Sequence, residues 1–211
     1  MAARGKSKRS ERRDLEAALR RSHVLAAAAT EFAEKGFDGA QVAEIASRAE
    51  VSLGTVYAMF EAKEGLFQAV IENAAESIRE TVRAKVEGIP DPQDRLLALI
   101  DSLFACFAEN EDLLRIYARA THGLPWRIRQ SMGNRAQAIF TSFSGWVRGL
   151  TQEATSSGPL QGIDPEALAL ALIGSVTTAA AAAAEGTSQR GLDALAGDVR
   201  RVFERLFGVE P

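Results

Sequence analysis

The stretch IASRAEVSLGTVYAMFEAK, residues 45–63, decides how this chain folds. Its apolar positions and its break at Ala49–Val51 predict two short helices joined by a tight turn. Ser52 is a good N-cap for the second helix, because its side-chain oxygen can accept a hydrogen bond from a free backbone N–H. We expect the first helix over 41–48 and the second over 53–59. Two short helices joined by three or four residues are typical of a helix-turn-helix.

The second of these helices carries side chains that suit an approach to DNA. Ser52 and Thr55 provide hydroxyl groups in the first turn, and Gly54 has no side chain that would hold a partner away. The phenol of Tyr57 follows one turn later and can reach a phosphate. This pattern favours a DNA-facing helix.

Composition indicates a soluble globular protein with one large or two small domains. The chain has 211 residues, of which 46% are hydrophobic and 25% are charged. The one cysteine, Cys106, lies in an apolar run, which favours a reduced cytosol and excludes a disulfide framework. No run is apolar and long enough to predict a membrane span, and the basic N-terminus lacks a signal peptide core. We therefore expect a cytoplasmic protein without a membrane partner.

The net charge of −3 hides an uneven distribution. Residues 1–63 contain 11 Lys and Arg against 9 Asp and Glu, a net charge of +2, whereas the rest contains 14 against 19, a net charge of −5. A basic front on an acidic body suits a protein that contacts DNA with one end only.

Periodicity and breaks divide the chain into three parts. Residues 1–13 have no periodicity and six basic residues, and we expect a disordered basic arm that is either a solvated tail or a DNA contact. Residues 14–62 form the helix-turn-helix domain, in which helix 1 ends near Lys35 because Gly36 is a C-terminal stop. Residues 63–211 form a helical body. Its helices are predicted at about 62–86, 93–109, 112–121, 125–156, 165–185 and 192–207.

Residues 21–71 resemble the DNA-binding domain of the TetR family of bacterial transcriptional regulators. The resemblance rests on AAATEFAEKGFDGA at 27–40, VAEIA at 42–46 and VSLGTVYAMFEAKEGLF at 51–67. The chain departs from the family pattern in two places. Ala40-Gln41 stands where a Thr or Ser cap is usual, so we expect Asp38 to cap that helix, and Glu50 stands where the turn usually has Gly. A non-Gly residue at positive φ costs of order 1 kcal/mol.

The resemblance implies an all-α fold with an N-terminal three-helix DNA-binding domain and a C-terminal domain for effector binding and dimerisation. Its partners would be a double-stranded DNA operator, a small-molecule effector and a second copy of the chain, with no cofactor. We assign phosphate contacts mainly to Ser52, Tyr57 and Lys63, the last at a helix N-terminus where anions are favoured. Base contacts are better suited to Gln41, Leu53 and Thr55, with Gly54 allowing the approach.

Aromatic side chains concentrate in the middle helices, where they form either core or a ligand pocket. The resemblance implies that this region binds the effector, an apolar or amphipathic molecule. Arg119 and His122 lie one turn apart and would orient an anionic or hydrogen-bonding ligand, unless they are a surface arginine and a capping histidine. The candidate pocket residues are Phe104, Phe107, Tyr117, Arg119, His122, Trp126, Phe143 and Trp146.

The last two helices carry small and aliphatic residues on broad faces, which form either intramolecular core or an association surface. The resemblance implies a symmetric four-helix dimer interface, and a two-fold dimer matches a palindromic operator. The candidate interface residues are Leu172, Val176, Ala179, Ala183, Leu195, Val199, Val202 and Leu206.

Catalysis finds little support in the sequence. Two histidines, His23 and His122, and one cysteine are present, and HExxH, CxxC and GxSxG motifs are absent. A metal site would lack ligands. We therefore predict a ligand-responsive DNA-binding regulator, a repressor rather than an activator, and not an enzyme. The alternative is a helical small-molecule-binding protein or enzyme in which the helix-turn-helix is incidental.

Overall fold

The computed structural model describes residues 8–121 and 128–209, and the side chains of all of these except 120, 121 and 128–132. Its regular structure is entirely helical over those ranges, as the sequence predicted. The elements are α1 (Lys8–Gly39), α2 (Val42–Arg48), α3 (Leu53–Phe60), α4 (Lys63–Val86), α5 (Pro92–Glu109), α6 (Glu111–Thr121), α7 (Ile128–Ala154), a 3₁₀ turn (Gly158–Leu160), α8 (Pro165–Ala184) and α9 (Leu192–Phe207).

The chain divides into two compact units, residues 1–70 and 71–211, which we call the N-terminal unit and the C-terminal unit. The division falls eight residues later than the boundary expected at 62/63. The first two turns of α4 belong to the N-terminal unit because they complete its core. Leu66 and Val70 are buried there, and the Phe67 ring meets the Phe32 ring edge-on at 5.0 Å.

Helix α1 is longer at its N-terminus than predicted. It begins at Lys8 rather than Asp14, so residues 8–13 of the expected disordered arm are helical; residues 1–7 of that arm lie outside the described part of the chain. An ion pair between Arg12 and Glu16, one turn apart at 2.8 Å, supports this extension. At the other end Gly36 has φ 71°, the predicted stop.

Helices α5, α7, α8 and α9 enclose the core of the C-terminal unit. Helix α5 contributes the largest share, including the fully buried Leu96, Leu99 and Ile100. Asp91 and Asp164 cap α5 and α8 through their side chains, and each helix has Pro at its first position. The predicted single helix over 125–156 is interrupted, because Gly133 has φ 85° and ψ 172° inside α7.

Helix α8 is long and apolar enough to cross a membrane by length and composition, with a mean hydropathy of 1.9. No such run was predicted from the sequence, because the many alanines of this helix look weakly hydrophobic individually. One face of α8 is buried in the C-terminal unit through Leu168, Leu172 and Val176. A core helix of a globular domain passes the same test, and this packing favours that interpretation.

Candidate nucleic-acid interface and ligand cavity

Helix α3 separates an inward apolar side from an outward polar side. Val56 and Phe60 are buried, and Phe60 also lies under the Arg21 guanidinium at 4.4 Å from the ring centroid. The outward side exposes Leu53, Gly54 and Tyr57.

Ser52 caps α3 as predicted. Its Oγ accepts a hydrogen bond from the Thr55 backbone N–H at 3.1 Å and lies 2.8 Å from Thr55 Oγ1. Ser52 is exposed and Thr55 half-buried, so both hydroxyls lie at the start of the outward side. The structure therefore brings five of the seven predicted DNA-contacting residues together on one exposed helix.

Gln41, the sixth of these residues, is exposed at the N-cap of α2, but neither its own side chain nor that of Asp38 caps the helix. The expectation that Asp38 supplies the cap is wrong. The Gln41 backbone N–H instead donates to Glu31 Oε1 at 3.2 Å, from a residue ten positions earlier in α1.

Glu31 is the buried polar centre of the N-terminal unit, with a side-chain exposure of 0%. Lys35 Nζ lies 2.8 Å from Oε1, and Arg48 Nη2 lies 3.5 Å from Oε2. Burial alone would raise the pKa of this carboxyl group, but the hydrogen bonds from Lys35 and Gln41 and the two positive charges hold the pKa below its usual value. This residue was not among the sequence predictions, although a glutamate between Ala28 and Phe32 in the buried stripe of α1 was the available signal.

The turn between α2 and α3 confirms the expected strain at Glu50. This residue has φ 54°, in the left-handed region that favours glycine. The Val51 backbone N–H closes the turn by donating to the Ala46 carbonyl at 3.0 Å. A glutamate therefore occupies a conformation in which glycine would be unstrained.

The junction between α3 and α4 is a second strained point. Glu61 has φ 61° and ψ −47°, and the Ala62 N–H donates to the Phe60 carbonyl at 2.6 Å. This geometry is that of a γ-turn of the rare, strained type. Gly65 packs against the same carbonyl, since a Cβ at this position would lie 2.4 Å from the Phe60 oxygen. The orientation of α3 on α4 therefore depends on a glycine at position 65.

Lys63, the seventh predicted residue, is engaged within the N-terminal unit. Its Nζ donates to the Asp38 carbonyl at 3.1 Å and lies 4.9 Å from the centroid of the Phe37 ring. The side chain is half-buried at the first position of α4. Besides any phosphate contact, Lys63 thus ties α4 to the segment that precedes α2.

The C-terminal unit contains an apolar cavity of about 140 Å³ among α4 to α8. Three of the predicted pocket residues, Phe107, Tyr117 and Phe143, line it. Arg79 is the charged member of the described lining, and it was not selected from the sequence. The lining residues are Ile71, Ala74, Ala75, Ile78, Arg79, Leu103, Phe107, Leu113, Tyr117, Ala136, Ile139, Phe140, Phe143, Ile173 and Thr177.

The other predicted pocket residues lie elsewhere. Phe104 is buried in the core and Arg119 is exposed; neither lines the cavity, because α5 and α6 turn these side chains away from it. Trp146 borders a second cavity of about 250 Å³ together with Arg95 and Glu153. His122 and Trp126 lie outside the described residues.

The predicted dimer-interface residues fall into two groups. Leu172 and Val176 are fully buried within one chain, so their assignment to an intermolecular surface is wrong: the apolar face of α8 that they occupy packs on the core. Ala179, Ala183, Leu195 and Val199 are half-buried. Val202 and Leu206 remain exposed on α9, and Leu170, which was not predicted, is exposed on α8.

Cys106 is a free, buried cysteine. Burial raises the pKa of the Cys106 thiol, which keeps it protonated and unreactive near neutral pH. Within residues 8–121 and 128–209, no three His, Cys, Asp or Glu side chains are grouped as metal ligands.

Comparison with known proteins agrees with this geometry. The family model of "Bacterial regulatory proteins, tetR family" matches residues 24–70, which contain α2 and α3. The uncharacterized HTH-type transcriptional regulator YvdT of Bacillus subtilis is 26% identical over 64% of this chain and 66% of its own length. The chain spans about half to two thirds of the length of the curated relatives it matches.

Solved structures extend the likeness of fold to the C-terminal unit. A transcriptional regulator FadR from Bacillus subtilis, in complex with stearoyl-CoA, has a TM-score of 0.72 at 21% identity and covers 90% of this chain and 99% of its own. AibR, in complex with isovaleryl coenzyme A and operator DNA, has a TM-score of 0.68 at 17% identity over 89% and 98%. YvdT and FadR are transcriptional regulators. The match at 24–70 identifies the helix-turn-helix region of this chain as that of the tetR family of bacterial regulatory proteins, and the solved structures share the all-helical fold of the whole chain.

Proposed function

We propose that this protein is a dimeric transcriptional regulator that binds operator DNA through α3 and responds to a small amphipathic molecule bound in the cavity of the C-terminal unit. The observation that carries the proposal is the outward side of α3. It combines exposed hydroxyl, phenol and glycine positions on a helix whose opposite side is buried. A helix held in this way can enter a major groove without disturbing its own domain.

The contacts divide into positioning and sequence reading. Ser52 and Tyr57 would bind phosphates, and Thr55, Leu53 and the exposed Gln41 would reach base edges. Gly54 supports the close approach, because the nearest atom to a Cβ built there is Ser52 Oγ at 3.8 Å. The protein therefore has internal room for a larger residue at position 54, and its glycine is explained by what approaches from outside.

Dimerisation would use the exposed aliphatic positions of α8 and α9. Leu170 is 67% exposed and Val202 63% exposed. An operator with two half-sites would then be read by two copies of α3 about 34–36 Å apart. We place this regulator in the cytoplasm, where its DNA is.

Operator binding is tested by a mobility-shift titration with the DNA that flanks the gene. Thr55→Ala or Gln41→Ala should lower the ratio of specific to nonspecific affinity by about tenfold, the scale of one base contact. Ser47→Ala, an exposed hydroxyl of α2 outside this set, is the matched control and should change neither affinity. Failure of the unmodified protein to prefer any flanking DNA over random DNA would favour the helical small-molecule-binding protein instead.

Lys63→Ala separates two roles of this lysine: an external contact with a DNA phosphate, and the internal contacts with Asp38 and Phe37. A phosphate contact predicts weaker binding to specific and random DNA alike, and a salt slope lower by about one unit of log K per log salt. The hydrogen bond to Asp38 and the Phe37 contact predict a fall in melting temperature. An unchanged salt slope with a lower melting temperature would restrict Lys63 to the internal role.

The effector would act as an inducer that releases a repressor. Support comes from the apolar cavity and from the two similar folds that were solved with acyl-CoA molecules. A ligand releases DNA only if it prefers the DNA-incompetent state, and a hundredfold preference supplies about 2.7 kcal/mol. Titrating operator affinity at saturating ligand tests this sign. If the ligand instead tightens operator binding, it acts as a co-repressor or the protein acts as an activator.

A further inference from the structure

Arg79 places a positive charge against the apolar cavity. Its side chain is 26% exposed, and its Nη2 donates to Glu76 on the preceding turn of α4. Its Nε is buried and has no hydrogen-bond acceptor among the described residues. A ligand in the cavity would therefore meet the exposed quarter of the side chain, where the guanidinium carries a positive charge and N–H donors.

A second arginine repeats this arrangement one turn further along α4. Arg83 lies 5.3 Å from the centroid of the Trp146 ring, and its buried Nε lies 4.0 Å from Glu87, beyond hydrogen-bond distance. On α7, the Phe143 and Trp146 rings are 5.5 Å apart. Phe143 lines the apolar cavity and Trp146 lines the second one. The two cavities are therefore neighbours, with one arginine of α4 beside each.

The size of the apolar cavity limits what it can hold. Its volume of about 140 Å³ is close to the roughly 150 Å³ of an engineered apolar cavity that binds benzene. A tail of about six carbons therefore fills this space as the structure shows it.

We propose that the effector is an anionic amphiphile with a short acyl chain of about six to eight carbons, whose oxygen pairs with the part of the Arg79 guanidinium that faces the cavity. The proposal rests on the proposed function in taking this cavity as the effector site. Two sources share this chemistry. A free carboxylate would present its charge to Arg79. An acyl-coenzyme A thioester would present its carbonyl there and the phosphate groups of its coenzyme A part towards Arg83 and the second cavity.

The first test compares head groups of one chain length on the full chain, by thermal shift. We expect octanoate to raise Tm, octanol to raise it less at equal concentration, and octylamine to have the smallest effect, because only the anion pairs with Arg79. In a series from butanoate to dodecanoate, the shift should be largest near six to eight carbons. Stabilisation by octylamine equal to that by octanoate, or a shift that grows steadily through dodecanoate, would overturn the proposal.

The second test uses Arg79→Gln, with Arg148→Gln as the matched control, because Arg148 is exposed on α7 and lines neither cavity. Arg79→Gln should weaken octanoate binding by about tenfold or more and leave octanol binding unchanged, since only a charge-assisted hydrogen bond is lost. Arg148→Gln should change neither. Equal octanoate affinity in the two variants would refute the assignment. If Arg79→Gln fails to fold, the head-group series on the unmodified protein still decides.

The two sources are separated by Arg83→Gln. Weaker binding of octanoyl-CoA with unchanged binding of octanoate identifies the thioester, whereas loss restricted to Arg79→Gln identifies the free acid. Ligand-free operator binding is measured on the same samples. If the protein binds operator DNA but does not prefer anionic ligands, this inference is refuted and the proposed function stands. If it prefers anionic ligands but does not bind operator DNA, the proposed function is refuted and the ligand preference stands.

Discussion

The two units of this protein hold their helices by different means. In the N-terminal unit, α2 and α3 have seven and eight residues, and polar groups position them: the buried Glu31 carboxylate, the Ser52 cap and the γ-turn at Glu61. In the C-terminal unit, helices of 11 to 27 residues pack through a continuous apolar core, and the shortest of them, α6, joins it through Leu114. Isolated helices shorter than about 12 residues are marginal in water, so the short pair depends on such specific contacts.

This difference separates positions that tolerate exchange from those that do not. An apolar core accepts other apolar residues of similar volume, often for less than about 1.5 kcal/mol. A carboxylate that serves a backbone N–H and two cations, or a glycine against a carbonyl, has no equivalent replacement. The cavity of the C-terminal unit can thus change its shape while the DNA-binding geometry is kept.

The largest expected effect tests whether α9 contributes only core. In the proposed dimer, Val202→Glu should separate the two copies without unfolding either, because Val202 is exposed, and operator affinity should fall by about 10²–10⁴-fold as the linked second half-site is lost. Analytical ultracentrifugation and a mobility shift measure both. Asp193→Lys, an exposed charge change elsewhere on α9, should leave the dimer intact. A dimeric Val202→Glu protein would place the interface on another surface.

Substitution of two glycines tests the contrast within the N-terminal unit. Gly65→Ala should destabilise this unit by about 1–3 kcal/mol, because its Cβ meets a backbone carbonyl that cannot move aside easily. Gly54→Ala should leave stability unchanged or raise it by up to about 1 kcal/mol, yet weaken DNA binding. Denaturant unfolding and a mobility shift distinguish the two. Equal stability of both variants would contradict the close approach at Gly65.

The pH dependence of stability tests the buried carboxylate. The pKa of Glu31 is lower in the folded protein than in the unfolded chain, so its contribution is present above the unfolded value, about 4.3, and is lost as pH falls through the folded value. Glu31→Gln should lower stability by about 1–3 kcal/mol at pH 7 and flatten this acid-side decline. Glu34→Gln, with an exposed carboxyl, is the control. Unfolding followed from pH 7 to pH 3 gives the measurement, and parallel curves for unmodified and Glu31→Gln protein would exclude Glu31 as the source.

The smallest expected effect concerns the turn. Glu50→Gly should stabilise the N-terminal unit by roughly 0.5–1 kcal/mol by removing strain at positive φ. Ala49→Gly, next to it at φ −84°, should destabilise by a similar amount, because the added chain freedom brings no relief there. We expect Tm to rise in Glu50→Gly and to fall in Ala49→Gly. A lower Tm in both variants would show that Glu50 is not strained.

Local signals account for what the sequence predicted well. The starts of α5 and α8 follow from an aspartate cap before proline, and α3 follows from Ser52, so these bounds are correct to within one residue. The exposed residues on the outward side of α3 were predicted from the helical spacing that begins at the Ser52 cap. Each of these features depends on residues within one or two turns of one another.

The features that sequence reasoning missed depend on contacts between distant positions. Glu31 meets Arg48 seventeen residues away, and Lys63 meets Asp38 twenty-five residues away. Arg79 is a cavity residue only because α5, α6, α7 and α8 surround its side of α4. No local pattern in the sequence brings these groups together.

The wrong assignment of the buried face of α8 has the same origin. Leu172 of α8 and Phe203 of α9 belong to one core, to which α5 and α7 also contribute. The composition of α8 is apolar nearly all round, so it does not separate the buried face from the exposed one. Only the neighbouring helices decide which aliphatic side chains of α8 remain available to a second copy.

The close approach at Gly65 has a consequence for redesign. Because backbone contacts at positions 60, 61 and 65 fix how α3 is presented, the exposed side chains at 53, 54, 57 and 58 can be varied without altering that presentation. A library restricted to these four positions would sample new operator preferences on an unchanged scaffold. If the cavity binds the effector as proposed, the same regulator would then respond to one ligand at many promoters.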